Sequence, residues 1–447
     1  MVVADQRIDT VLARGRSTPD IDVAVIGGGI VGLMSAFFLA REGLKVAVYD
    51  KSGFFAEQSS RNWGWCRTFG RDLRELDLAS RALRLWREMA SMLGGPTGFS
   101  ACGITYLADD GDAARYQAYR RAFPLSGSVS RIIPGRLVGE HLPGISGRWD
   151  HAISVPADGI ADPHMLGTSL VAALRAIGVH LYPRTAITGI ETAAGRVTAV
   201  HCGDRTARCG AVVLACGAWS GRMLRAHGIR LPQAMVVSSV MNVVPRAPVP
   251  KACVFGPGFA FGPAGAGRYR IAHGGRSILP LSPENLRAYR HFLPGLRAEW
   301  RFLKRYLTPR FDTIARGDWA DTLRGLLHGG SGRRMRELDP PPDRTIMEDA
   351  LNNLATAFPA FRDAGIERRW AGVIDASPDG LPVISGHEAV CGLVVATGFS
   401  GHGFGLAPAT GELVADIVVG RRPRIDAGIF GFDRLTRHGG TTVGMRM

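Results

Sequence analysis

The strongest constraint on the fold lies between residues 21 and 50. Ile21–Ile26 (IDVAVI) is a short β-branched run, and Gly27-Gly28-Gly29 breaks it. Ile30 to Arg41 is apolar and rich in small residues, and Lys45–Asp50 (KVAVYD) is a second apolar run. The two runs read as buried strands. Gly43 ends the segment between them as a helix C-cap would. Strand, turn, helix and strand in this order make a βαβ unit. Its turn carries Gly27-x-Gly29-x-x-Gly32. The first glycine permits the tight turn, the second lets backbone approach a pyrophosphate, and the third lets helix pack on strand. The helix start offers unpaired N–H groups to phosphates. Asp50 closes the second strand, where its carboxylate can accept hydrogen bonds from a ribose diol. The acid would repel a ribose phosphate there, which leaves FAD or NAD.

Composition narrows the class. The chain has 447 residues, and at roughly 150 residues per domain the length suggests about three folding units. Apolar residues are 46% and charged residues 21%, which excludes wholesale disorder. Lys plus Arg is 54 against 39 for Asp plus Glu, a net charge of +15. The basic residues are almost all Arg and are scattered, with Arg333-Arg334-Met335-Arg336 the densest spot. No nucleic-acid partner is expected from such a pattern, although anionic ligands are favoured. The seven cysteines form no C-x-x-C pair and the twelve histidines no H-x-x-x-H pair. Neither a disulfide framework nor a metal site is expected. The thiols point to a reducing, cytoplasmic compartment. No apolar run reaches the ~18 residues of a spanning helix. Residues 1–20 read as a flexible lead-in without a secretory signal.

Beyond the βαβ unit, residues 52–72 form a Gly/Ser/Arg/Trp-rich loop and 73–93 a helix. Helices are expected near 112–123 and over Pro163–Ile177, with short strands at 179–201. Ala211–Ala215 (AVVLA) is another buried strand ending at Cys216-Gly217. Strands separated by Pro and Gly fill 231–275. A long helix is expected at 283–307, then Gly/Arg-rich loops, a helix near 346–357, and strands at 369–374 and 393–397. Phe404–Val419 is a final helix. The strand–turn–helix segments at 211–220 and 396–411 decide between the two dinucleotides. A second glycine-rich helix start suits the negative charge that develops at N(1) and O(2) of a reduced flavin.

Three stretches carry a family resemblance: VIGGGIVGLMSAFFLAREGLKVAVYDK, VVLACGAWS, and WAGVIDASPDGLPVI with VVATGFSGHGFGLAPATGELVADIVVG. With DGIADPHMLGTSLVAALRAIGVHLYPRTAITGIE between them, the chain resembles the D-amino-acid oxidase/glycine oxidase/sarcosine oxidase (DAO) group of FAD enzymes, including bacterial D-amino-acid dehydrogenases. The resemblance implies an α/β (α+β) fold with a discontinuous Rossmann-like FAD domain (21–80, 155–230 and 366–432). A β-sheet substrate domain (81–154 and 231–365) would cover the flavin. It also implies that Gly27, Gly29, Ile30, Val31 and Gly32 form the pyrophosphate turn. Asp50 would hold the adenosine ribose, with Lys51 and Ile187 at the adenine. Ser59, Ser60, Arg61, Asn62 and Gly64 would follow the pyrophosphate and ribityl chain. Ala215, Gly217 and Trp219 would line the cofactor, and Gly401, His402, Gly403 and Phe404 would approach the ring.

The family oxidises carbon–nitrogen bonds by hydride transfer to flavin. Glycine oxidases and D-amino-acid dehydrogenases usually carry an Arg for the substrate carboxylate shortly after the W-x-G element. Here Trp370-Ala-Gly-Val-Ile-Asp375 puts Ile374 at that place. This favours a secondary amine or N-substituted amino acid, with a D-amino-acid dehydrogenase or a flavin relay subunit of a heteromeric complex as alternatives. Arg270 is expected to bind an anion or assist oxygen, and Arg67, Trp65 and Asp375 to contact substrate. His402 is a candidate catalytic group. Residues 371–379 hold no Cys, so non-covalent FAD is expected, with Cys66 a buried inert thiol. The acceptor would be oxygen or a quinone or electron-transfer partner. A peripheral membrane position or a heteromeric partner is compatible with this reading.

Overall fold

The computed structural model describes residues 20–108, 119, 121, 130–298, 307–328 and 337–435. The elements that position the site are β1 (Val23–Ile26), α1 (Ile30–Arg41), β2 (Val46–Tyr49), α2 (Leu76–Leu93), β3 (Ala211–Leu214), β4 (Ala234–Val244), β5 (Tyr269–Ala272), β6 (Gly365–Ala376), β7 (Val390–Thr397) and α3 (Gly403–Val418). They build a mixed α/β architecture around two large sheets.

In the first sheet β7, β3, β1 and β2 lie side by side and parallel, with Val212 beside Leu393, Val23 beside Ala211 and Val23 beside Val46. Parallel strands are covered on both faces, so their sequences are unbroken apolar runs. One face is covered by α1, α2 and α3. Gly411 of α3 crosses α1 so closely that a Cβ there would lie 2.7 Å from the Met34 backbone. The amphipathic α2 buries Leu78, Leu85, Trp86 and Met89, and the Trp86 indole donates to the Gly405 carbonyl at 2.8 Å. Gly94, with φ at 64°, ends α2 in the left-handed conformation.

The second sheet has ten strands centred on β4. β4 pairs antiparallel with β6 from Ala234–Ala376 to Val244–Gly365, and with β5 at Val240–Ala272. From β6 the chain returns through residues 377–389 to β7, so the same stretch ends one sheet and completes the other.

Several expectations need correction. Of the helix expected at 283–307, Pro283–Ala298 is helical and 299–306 lie outside the described residues, while Leu307–Arg310 is instead a strand parallel to Ser277–Pro280. Pro309 explains the difference, since a proline lacks an amide and disfavours helical backbone just before it. The loops expected next contain the helix Thr313–His328, started by Asp312, whose carboxylate accepts from the Ala315 amide at 2.8 Å. The helix expected near 112–123 lies outside the described residues apart from Tyr119 and Arg121. The domain boundaries at 80 and 366 fall inside α2 and β6. α2 packs in the core of the first sheet, and β6 belongs to the second.

Candidate active site

The strands β1, β3 and β7 each run into a glycine-rich turn at their C-terminal ends, and the three turns meet at one groove. That is where open α/β sheets place ligands. Gly27, at φ 110°, needs to be glycine, since a Cβ would sit 2.3 Å from the Ala215 carbonyl oxygen. A Cβ on Gly32 would lie 1.9 Å from the Gly27 carbonyl, so this glycine closes helix onto strand. A Cβ on Gly29 would meet only the Ser59 hydroxyl, at 3.0 Å, so its remaining face is open to the groove. The Ile30 amide donates to Ser59 Oγ at 2.8 Å. Asp50 accepts from the Gly28 amide at 2.7 Å and the Ser52 amide at 2.8 Å, while burial pushes its pKa up.

The groove opens into a cavity of about 540 Å³. Most of the expected residues line it. From the first sheet come Gly27, Gly29, Ile30, Val31, Asp50, Lys51, Ile187, Ala215, Gly217 and Trp219. The loop before α2 contributes Ser59, Arg61, Asn62, Gly64, Trp65 and Arg67. Gly401, His402, Gly403 and Phe404 close the third side, and Ile374 lines it from β6. Lys51 and Arg222 flank the Trp219 ring at 4.9 and 4.8 Å from its centre. Trp63 and Trp65 pack edge to face, 5.5 Å apart.

Four expected residues behave differently. Gly32 does not line the cavity, for the packing reason given, and Ser60 turns its hydroxyl to the Glu57 carbonyl at 3.1 Å. Arg270 does not line it either. Its guanidinium donates to the Trp63 carbonyl at 3.2 Å, lies 3.9 Å from Asp162, and sits 5.9 Å from the centre of the Trp370 ring. Strand alternation sets the face on which Arg270 stands, but the loop carrying Trp63 comes between it and the cavity. Asp375 reaches the cavity wall, yet its carboxylate accepts from the Gly398 amide at 2.7 Å and Thr397 Oγ1 at 3.1 Å. It holds the β7–α3 turn and does not face an amine.

The sequence reading missed three charged groups. Glu57 pairs with Lys51 and accepts from the Leu338 amide at 3.1 Å. Arg71 lines the cavity while only 3% exposed. Glu75 is fully buried with its Oε2 at 3.4 Å from His402 Nδ1. Burial, reinforced by the Arg71 charge, pulls the His402 pKa down to about 4, so the imidazole is neutral. Burial alone would raise the Glu75 pKa, but the net shift is downward, and with His402 neutral the Arg71 cation is the charge that favours the ionised carboxylate. Only chain folding brings residues 71 and 75 to 402, so no local spacing could have signalled the cluster.

A flavin dinucleotide fits these residues: a glycine surface open at Gly29, a ribose-facing acid at Asp50, and a second helix start at Gly403. The site is that of a flavin-dependent oxidoreductase. A family model described as FAD dependent oxidoreductase (DAO) matches residues 22–417, and the chain belongs to that family. FAD is therefore its cofactor. Glycine oxidase from Pseudomonas putida (strain KT2440) is 28% identical over 426 residues, covering 90% of this chain and 96% of that one. Glycine oxidase from Geobacillus kaustophilus is 28% identical over 437 residues, covering 93% and 97%. Among solved structures, L-amino acid deaminase from Proteus vulgaris superposes with a TM-score of 0.85 at 25% identity, covering 95% and 98%. No helix among the described residues is long and apolar enough to cross a membrane.

Proposed function

We propose that this chain oxidises the carbon–nitrogen bond of an amino acid or amine, with a secondary amine or N-substituted amino acid preferred. The observation that carries the reading is one cavity walled by a dinucleotide cradle on one side and by the apolar Ile374 on another. In this reading the first sheet holds the cofactor and the second covers the substrate. Gly27, Gly29, Ile30 and Val31 bind the pyrophosphate through their backbone, and Asp50 the ribose. Lys51 and Ile187 border the adenine. Ser59, Arg61, Asn62 and Gly64 follow the ribityl chain, and Gly401 to Phe404 the ring. Gly32 and Ser60 support this cradle from behind.

When bound, FAD supplies the two-electron acceptor for the hydride leaving the substrate carbon. The chain's own task is to orient that carbon and keep the amine neutral, so that nitrogen electrons can assist the loss of hydride. With its pKa pulled to about 4, His402 is too weak a base to hold the ammonium proton, so it is suited to contact the amine as a neutral polar group while the proton passes to solvent. Trp65 walls the substrate space, and Arg67 attracts its anionic end. The imine product then hydrolyses. We place the protein in the cytoplasm, passing electrons to oxygen or to a quinone or electron-transfer partner, with a peripheral position at the inner membrane face compatible with this.

Anaerobic mixing of the purified flavoprotein with a panel of amines tests the proposal. Bleaching of the flavin band by N-substituted amino acids is expected. Bleaching only by simple D-amino acids would sink the inference from Ile374. No bleaching by any amine would favour an electron-relay subunit.

A further inference from the structure

Two thiols from distant parts of the chain meet behind the cavity wall. The strands Ile104–Ala108 and Cys253–Gly256 run parallel, with Cys253 beside Ile104. The Cys253 amide donates to the Gly103 carbonyl at 3.3 Å, which draws Cys102 alongside. The two sulfurs are 3.7 Å apart, although 151 residues separate them in sequence. A disulfide needs about 2.0 Å, so only a small approach is required to close one. Cys102 is the side free to make it. It stands in an irregular segment next to Gly103, at φ 76°, where the nearest atom to a Cβ would be 3.5 Å away. Cys253 is fixed on its strand, and its sulfur would lie 2.8 Å from a Cβ on Gly262. The Trp65 indole nitrogen converges on the same glycine at 3.3 Å, so the pair abuts a residue that lines the cofactor cavity.

We propose that Cys102 and Cys253 form a reversible dithiol–disulfide couple, closed by a hydroperoxide. The inference is independent of the substrate class above. A thiol that reacts with peroxide must be reachable and partly ionised, and one that resolves the product must stand beside it. Cys102 is half-buried, whereas Cys253 is fully buried. The Cys253 thiol, kept protonated by burial, donates to Cys102 and lowers its pKa. Cys102 is therefore the attacking group and Cys253 the resolving one. The Cys102 thiolate attacks one peroxide oxygen and the O–O bond breaks. Cys102 becomes a sulfenic acid, and the other oxygen leaves and takes a proton to form water. The Cys253 thiol then attacks the Cys102 sulfur, loses its proton, and displaces the hydroxyl as a second water. Two thiols are oxidised by two electrons in all, and one hydrogen peroxide is reduced to two waters. A thiol reductant reverses the bond by exchange. An oxygen acceptor at the neighbouring cavity would generate the same oxidant during turnover.

The test uses the FAD-loaded protein, reduced with dithiothreitol, freed of reductant and treated with stoichiometric hydrogen peroxide. Free thiols are then counted in denaturant, and the peptides are mapped by mass spectrometry without reduction. Of the seven thiols, Cys102 and Cys253 should be lost together, with their peptides joined and the joined mass lower by two hydrogens. Dithiothreitol should restore both. Cys391→Ser, which removes the exposed thiol, should behave as wild type does. Cys102→Ser should form no internal disulfide. Cys253→Ser should stop at the Cys102 sulfenic acid, which dimedone traps, while wild type gives little adduct. Retained flavin shows that each variant is folded, and the wild-type peptide map decides the matter should Cys253→Ser fail to fold. Several results would overturn the proposal: Cys102 left as a thiol, Cys102 driven to the sulfinic or sulfonic acid with Cys253 still free, or Cys253 joined to Cys66 instead. Dimedone labelling of Cys102 that is equal in wild type and Cys253→Ser would also overturn it, by showing that Cys253 does not resolve the intermediate.

Discussion

Two glycines three positions apart answer to different demands. A side chain at Gly29 meets only a serine hydroxyl, whereas one at Gly32 meets a backbone carbonyl. Gly29→Val is therefore expected to give a folded protein that retains little FAD, seen as a lost flavin band at near-normal melting temperature. Gly32→Ala should lower the melting temperature itself, with flavin loss a by-product. The opposite pattern would show that the turn does not face the cofactor. Buried titratable groups give a second residue-level expectation. His402 falls from its ordinary 6.5 to about 4, so its contribution to stability is full above pH 6.5 and lost as pH drops toward 4. Asp158 runs the other way. Burial raises it from 3.8 to about 6, although it accepts hydrogen bonds from the Thr68 amide and hydroxyl. The fold then holds the Asp158 proton more tightly than the unfolded chain does, and stability is lost as pH rises from about 4 through 6. Asp158→Asn should abolish that loss, on the order of 2 kcal/mol between pH 4 and 6.5. Urea unfolding at the two pH values reads it directly, and an unchanged difference would contradict the assignment.

At the scale of elements, the crossing of α1 and α3 depends on Gly411 meeting the Met34 backbone. Gly411→Val should push the helices apart and cost about 2 kcal/mol, read by chemical denaturation. A neutral result would mean that the helices do not meet there. The same elements show what the sequence can and cannot disclose. β1, β2, β3 and β7 were legible because parallel strands covered on both faces are apolar without interruption, and α1 and α3 because glycines mark their starts. The helix Thr313–His328 was not, since Gly317 and Gly325 break its pattern and Arg-rich loops surround it. The role of Arg270 was misjudged for a related reason. A strand position fixes the face of a side chain, but the loop lying over that face comes from 207 residues earlier in the chain, at Trp63. The cradle residues could be read because they act through local backbone, whereas Arg71 and Glu75 act through partners remote in sequence.

For the molecule as a whole, the cofactor groove is where both sheets and three separate stretches of chain converge. Binding there should stabilise the native state by mass action. FAD at a hundredfold over its dissociation constant contributes about 3 kcal/mol. For a chain of this length that raises the melting temperature by about 3 °C over the stripped protein. A calorimetric scan with and without added FAD measures the shift, and its absence would mean that the groove does not hold FAD. The return of α3 onto α1 also sets an order of events in the cell. The cradle's third side begins at Gly401, so a chain still emerging from the ribosome presents an incomplete receptacle however long it waits. Flavin loading then waits until the chain has been made and folded through α3, and flavin starvation would leave folded but empty polypeptides.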